Sequence, residues 1–112
     1  MNIDPFLTKI KADLGIAHIT VRVQVKHAPE CYAVRQGASY LIVLRKAMKG
    51  RALVRALAHE LRHVWQEESG LLTTAWGENG EAVHVWRGTP QTCAYEEQAH
   101  EVDARAYDAQ WA

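Results

Sequence analysis

The chain is poor in several residue types at once: among 112 residues there are one phenylalanine, two methionines, three prolines and two cysteines. Two cysteines cannot staple a small secreted domain, and no export signal precedes them. Cys31 and Cys93 are therefore expected as a reduced cytosolic pair, with a transient bridge left open. No apolar run exceeds the five residues 40–44, far short of the roughly 18 needed to span a bilayer. The start, Met-Asn-Ile-Asp-Pro-Phe-Leu, lacks the basic opening and apolar stretch of a secretory signal, so a cytoplasmic location is expected. Repeats, low-complexity tracts and linkers are absent too. With 48% hydrophobic and 23% charged residues, wholesale disorder is excluded and residues 1–112 are read as a single domain.

Net charge is zero, which favours neither acidic nor basic substrates. Its distribution is lopsided: residues 1–62 carry eleven Lys/Arg against four Asp/Glu, and residues 63–112 carry two against nine. The basic side concentrates in Arg45, Lys46, Lys49, Arg51 and Arg55. Such a cluster is either a patch for nucleic acid or an acidic partner, or a solvated face. No nucleic-acid motif accompanies it, which favours the solvated face.

Asp4-Pro5 is a helix start, an N-cap residue followed by proline at the first helical position. Phe6, Leu7, Ile10 and Leu14 follow at helical spacing, and Gly15 stops the helix. Alternation of Ile19, Val21, Val23 and Val25 with polar residues predicts a strand. Residues 31–36 and 39–45 predict two more, the last apolar enough at 41–44 to be buried on both faces. From about 48 to 68 the period becomes helical, with Leu53, Leu57, Leu61 and Val64 in one stripe. Segments 71–76 and 82–86 flank Gly77-Glu78-Asn79-Gly80 as a β-hairpin, closed by Gly88-Thr89-Pro90. Residues 94–110 predict a last helix, with Tyr95, Ala99, Val102 and Ala106 on one face. The whole is an α+β fold: a helix, a three-stranded mixed sheet, a long helix, a hairpin and a C-terminal helix.

The long helix contains His59-Glu60-Leu61-Arg62-His63, an HExxH. Histidines at i and i+4 share a helix face, so both imidazoles can bind one metal ion, and imidazole suits zinc. Glu60 sits where it can take a proton from a metal-activated water and is the candidate general base. From this composition the motif arises by chance in about 2% of chains. A catalytic zinc needs a third protein ligand. Residues 64–74 offer only Glu67 and Glu68, so the last helix is the expected source, with Glu97, His100, Glu101 and Asp103 as candidates. A solvated acidic face is the alternative for each.

HELRHVWQ, followed about forty residues later by YEEQAHEVDAR, resembles the small zincin-like metallopeptidases of phages and bacteria, of the glutamate-zincin type. Their active-site helix reads HELxHxxQ. A hairpin with Trp-x-Gly follows, here Trp86-Arg87-Gly88. A second helix carries Glu-x-(Glu/Asp)-Ala-Arg, here Glu101-Val102-Asp103-Ala104-Arg105. The likeness spans residues 53–107. It implies a zincin-like fold whose C-terminal helix carries the third ligand, and one zinc per chain held by His59, His63 and Glu101. Glu97, one turn earlier, is the rival third ligand. It also implies Glu60 as general base, hydrolysis of peptide bonds in a peptide or protein substrate by zinc-activated water, and a phage-encoded or cytoplasmic setting. Thermolysin-like members place a helper aspartate four residues after the ligand glutamate, where this chain has Arg105. The partner orienting a ligand histidine is then expected to be Asp103 or a backbone carbonyl.

An oxyanion donor beside the metal is needed as well, and His84, His100, Arg105 and Tyr107 are the candidates. Gln66 is read either as a support for the ligands or as surface, Arg62 as a surface contact, and Trp65, Trp76, Trp86 and Trp111 as core or hairpin packing, with a wall of a substrate cleft as the alternative for Trp76 or Trp86. The strand 39–45 is expected to receive an extended peptide along its edge. Two other functions remain open: a zinc-bound assembly module without turnover, and a nucleic-acid-associated protein using the 45–55 cluster. No membrane partner is expected.

Overall fold

The computed structural model describes residues 2–111. Helix α1 (Asp4–Asp13) has Pro5 in its first turn, where a missing N–H is harmless. Asp4 lies inside this helix rather than capping it, and the side-chain oxygen of Asn2 accepts from the Asp4 N–H at 3.0 Å. Gly15, at φ +72°, turns the chain out of the helix. Strands β1 (Val21–Lys26), β2 (Tyr32–Gln36) and β3 (Ser39–Arg45) follow. They form a mixed sheet in the order β1-β3-β2, with β1 parallel and β2 antiparallel to β3. The predicted first strand is shorter than its alternating pattern, because the Ile19 N–H closes a turn onto Ile16 instead of entering the ladder.

Helix α2 (Arg51–Glu68) lies against β3, and its stripe Leu53, Leu57, Leu61 and Val64 is buried. These side chains meet Ile10 of α1 and Tyr40, Ile42 and Leu44 of β3 in one core. Leu57 and Leu61 are wholly inaccessible, and each contributes about 2 kcal/mol by leaving water. The start at Arg51 is later than the period alone indicates. Gly50 leaves helical geometry at φ +58°, and Met48 is spent packing on the core instead.

Beyond α2 a second sheet runs β4 (Leu72–Trp76), β5 (Ala82–Trp86) and β6 (Thr89–Pro90), all antiparallel neighbours. Gly88-Thr89-Pro90 does not merely close the hairpin. Arg87 and Gly88 take positive φ and fold the chain back as a short third strand. The predicted helix 94–110 is broken. A 3-10 turn covers Tyr95–Glu97, Gln98 is extended, and helix α3 runs Ala99–Asp108 before another 3-10 turn at Ala109–Trp111. Tertiary bonds override local propensity here. The Gln98 amide bridges His84 and the Cys93 carbonyl, and the Gln91 side chain accepts from the Ala99 N–H.

The apolar face assigned to that helix is also corrected. Tyr95 and Val102 are 55% and 50% exposed, whereas His100, Glu101, Ala104, Tyr107 and Asp108 are buried. The buried side of α3 is mixed: Ala104 and Tyr107 pack as hydrocarbon, while Glu101 and Asp108 meet α2 through ion pairs. Among the described residues no helix is long and apolar enough to cross a membrane.

Candidate metal centre

One helical turn separates His59 from His63 on α2, and α3 brings Glu101 between them. Three polar bridges set that approach. Arg55 donates to Asp108 at 2.7 Å, Arg62 holds Asp103 with a fork at 2.7 and 3.0 Å, and Gln66 Nε2 donates to the His100 carbonyl at 2.9 Å. Arg62 is therefore no surface contact. It pins α3 while its guanidinium lies 3.9 Å from the Trp65 ring centroid and 5.0 Å from that of Tyr107.

Each imidazole is oriented from behind. His59 Nδ1 lies 2.8 Å from Asp108 Oδ2, and His63 Nδ1 lies 2.8 Å from Gln66 Oε1. A carboxylate can only accept, so His59 donates from Nδ1. Gln66 Nε2 donates to two acceptors, the His100 carbonyl and Asp103 Oδ2. That turns Oε1 toward His63 and makes His63 a donor from Nδ1 as well. In the neutral imidazoles both Nε2 lone pairs then face Glu101, at 3.0 Å from His59 and 2.8 Å from His63, with the two Nε2 atoms 3.2 Å apart.

Three acceptors crowded in this way repel one another unless a cation lies among them. His59, His63 and Glu101 each offer one ligand atom within 4.8 Å of the others, the donor set and convergence that zinc takes. Protons answer the same demand in the metal-free protein. Burial opposes charge on His59, but the Glu101 and Asp108 carboxylates outweigh it and raise its pKa to about 9. His63 is raised likewise, against burial, by Glu101 and Gln66. Burial also opposes ionisation of Glu101, yet His59, His63 and Tyr95 hold its carboxyl far below the usual carboxylate range.

Glu60 is 7% exposed and lines a cavity of about 590 Å³ together with His59, His63 and Glu101. Burial pushes its carboxyl upward against the pull of the two histidines, the direction a proton acceptor near neutral pH requires.

The remaining sequence candidates separate by place. His84 and His100 line this cavity. His84 Nδ1 donates to Gln98 Oε1 at 3.1 Å, leaving its Nε2 free, and its ring centroid is 4.5 Å from that of His100. Burial, then the charges of His84 and His63, lower His100 to about 4, and its Nδ1 has no partner among the described residues. Asp103, Arg105 and Tyr107 lie outside the cavity. Asp103 reaches His63 only through Gln66, Arg105 donates to the Glu96 carbonyl, and Tyr107 donates to Asp13 at 2.7 Å. Glu97 is exposed on the 3-10 turn, because the break at Gln98 takes it off the face of Glu101. Trp76, 73% exposed, and Trp86 form no wall of the cavity.

The aspartate that orients His59 is Asp108, not Asp103. It lies seven residues after Glu101, two turns along the same face, a spacing that was readable once a ligand at Glu101 was granted. The helical period sets Tyr95 on a face with Ala99, Val102 and Ala106, away from the ligands. Its hydroxyl instead donates to Glu101 Oε1 at 2.7 Å at the cavity wall. Burial and that carboxylate push its pKa above the ordinary phenol value. Edge addition to β3 is excluded, since β1 and β2 occupy both its sides. The free edge beside the cavity belongs to β2, whose Tyr32 and Ala33 line it with the preceding Cys31. Cys31 and Cys93 are both free thiols. Comparison of the chain with known protein families, with curated proteins and with solved structures finds no match in any of the three.

Proposed function

We propose that this chain is a zinc-dependent metallopeptidase of the glutamate-zincin type, with His59, His63 and Glu101 as the zinc ligands and Glu60 as the general base. The observation that carries the reading is the convergence of two imidazole Nε2 atoms and one carboxylate, beside a second, buried carboxylic acid, in one cavity. Held by His59, His63 and Glu101, a zinc ion would supply Lewis acidity toward a peptide carbonyl and a water molecule.

The chain's own groups do the rest. Glu60 takes the proton released as the water oxygen bonds to the carbonyl carbon, and returns it to the amine as the C–N bond breaks. Asp108 and Gln66 keep both imidazoles in the tautomer that leaves Nε2 free. The Tyr95 hydroxyl lines the cavity and, by swinging its single proton off Glu101 Oε1, can donate to developing negative charge on the carbonyl oxygen; His84 is the second candidate. The β2 edge offers unpaired backbone groups to an extended substrate.

Glu60→Gln separates turnover from binding. It should retain zinc and lower cleavage of an unfolded, fluorescently labelled protein substrate by about a hundredfold or more. Zinc retention with cleavage at the wild-type rate removes Glu60 from the chemistry. Zinc retention with no cleavage by either protein leaves a zinc-holding assembly module.

A further inference from the structure

Apart from Arg55, which holds Asp108, the basic cluster around residues 45–55 is not spent by the centre. A second cavity, of about 440 Å³, meets the first at the HExxH helix, and Glu30, Cys31, His59 and Glu60 border both. Its walls are apolar where Pro29, Met48, Ala52 and Ala56 stand, and cationic where Arg45 and Arg55 stand. The first cavity contains no Lys or Arg; its charged walls are Glu30, Glu60, Glu67 and Glu101 with histidines. The two sides of the centre therefore differ in sign of free charge, and the lopsided sequence has a place in space.

The acids on the cationic side are nearly used up. Asp108 gives one oxygen to Arg55 and the other to His59, Glu60 belongs to the centre, and only exposed Glu30 remains at the rim. Arg45 has no ion-pair partner among the described residues. Its backbone N–H donates to Cys31 Sγ at 3.4 Å, which ties its position to the start of β2. Lys46 shares a neighbouring hollow with Arg45 and adds to the field.

We propose that this second cavity is a specificity subsite for an anionic peptide residue, a Glu or Asp side chain whose aliphatic stem lies on Met48 and Ala56 and whose carboxylate is met by Arg45. The proposal rests on the peptidase reading for its use in turnover. Its recognition step does not, and can be read by binding alone. Arg55 is left out of the test because it also holds Asp108.

The experiment uses zinc-loaded full-length protein and N-acetylated, C-amidated hexapeptides that carry Glu, Gln or Lys at each position in turn. Binding is measured by calorimetry on the Glu60→Gln variant, and cleavage on protein with Glu60 intact. A Glu peptide should bind about tenfold tighter than its Gln and Lys counterparts at one position, the scale of one charge-assisted pair. Arg45→Ala should erase that preference, Arg45→Lys keep part of it and Arg45→Glu turn it toward Lys, all with neutral-peptide binding unchanged. Acid-selective binding without cleavage upholds the subsite and removes the peptidase reading. Charge-indifferent binding, a preference untouched at Arg45, or no peptide binding at all overturns it. So does salt-sensitive duplex DNA binding lost in Arg45→Glu without any peptide preference, which would give the cluster to nucleic acid.

Discussion

Asp108 does two jobs with two oxygens. One oxygen accepts from His59 Nδ1 and the other from Arg55. Asp108→Ala should leave the fold intact and weaken zinc binding about ten- to a hundredfold, measured by competition with a chromophoric chelator. The chelated protein should report the same pair through pH. The folded state holds the His59 proton to about pH 9, whereas the unfolded chain releases it near the model-peptide value of 6.5. The contribution to stability is therefore fully present below pH 6.5 and lost as pH rises through about 9. Denaturant midpoints of zinc-free protein should fall across that window, and the fall should shrink in Asp108→Ala. A flat profile in the zinc-free protein would remove the carboxylates as the holders of that proton.

At the scale of elements, the site depends on how α3 is hung from α2. Asp103 accepts from both Arg62 and Gln66, and Asp103→Ala leaves two buried or half-buried donors without their acceptor. The expected cost is about 1–3 kcal/mol in chemical denaturation, with weakened zinc binding because Gln66 no longer fixes His63. Unchanged zinc affinity would show that the Gln66–His63 bond does not need Asp103. Helix α2 was legible because its apolar stripe and its HExxH follow the same 3.6-residue period. Helix α3 was only half legible. Its buried face carries His100, Glu101, Tyr107 and Asp108, and a hydrophobic pattern cannot mark a face that is buried for its polarity. Tyr95 and Glu97 were misplaced for a different reason. The extended Gln98 is held by His84 and the Cys93 carbonyl, contacts that no local pattern encodes. The β2 edge was missed because strand order is a property of pairing between segments, which residues 39–45 do not carry in their own composition.

Across the whole molecule, the two halves of the chain meet at the centre with opposite charge. Residues 1–62 supply Arg45 and Arg55 on the cationic side, and residues 63–112 supply Glu101 and Asp108. A zinc ion bound there joins α2 to α3 directly, so zinc should stabilise the fold by mass action, about 4 kcal/mol at a thousand times its dissociation constant. The measurement that tests the central claim most directly is zinc stoichiometry by mass spectrometry, on untagged protein purified without chelator or nickel and dialysed at neutral pH. The Glu101→Ala and His63→Ala variants are measured alongside. One zinc per chain in the native protein, and substoichiometric zinc in both variants, is the predicted result. Negligible zinc in the native protein, or a full complement in Glu101→Ala, would contradict the proposed centre.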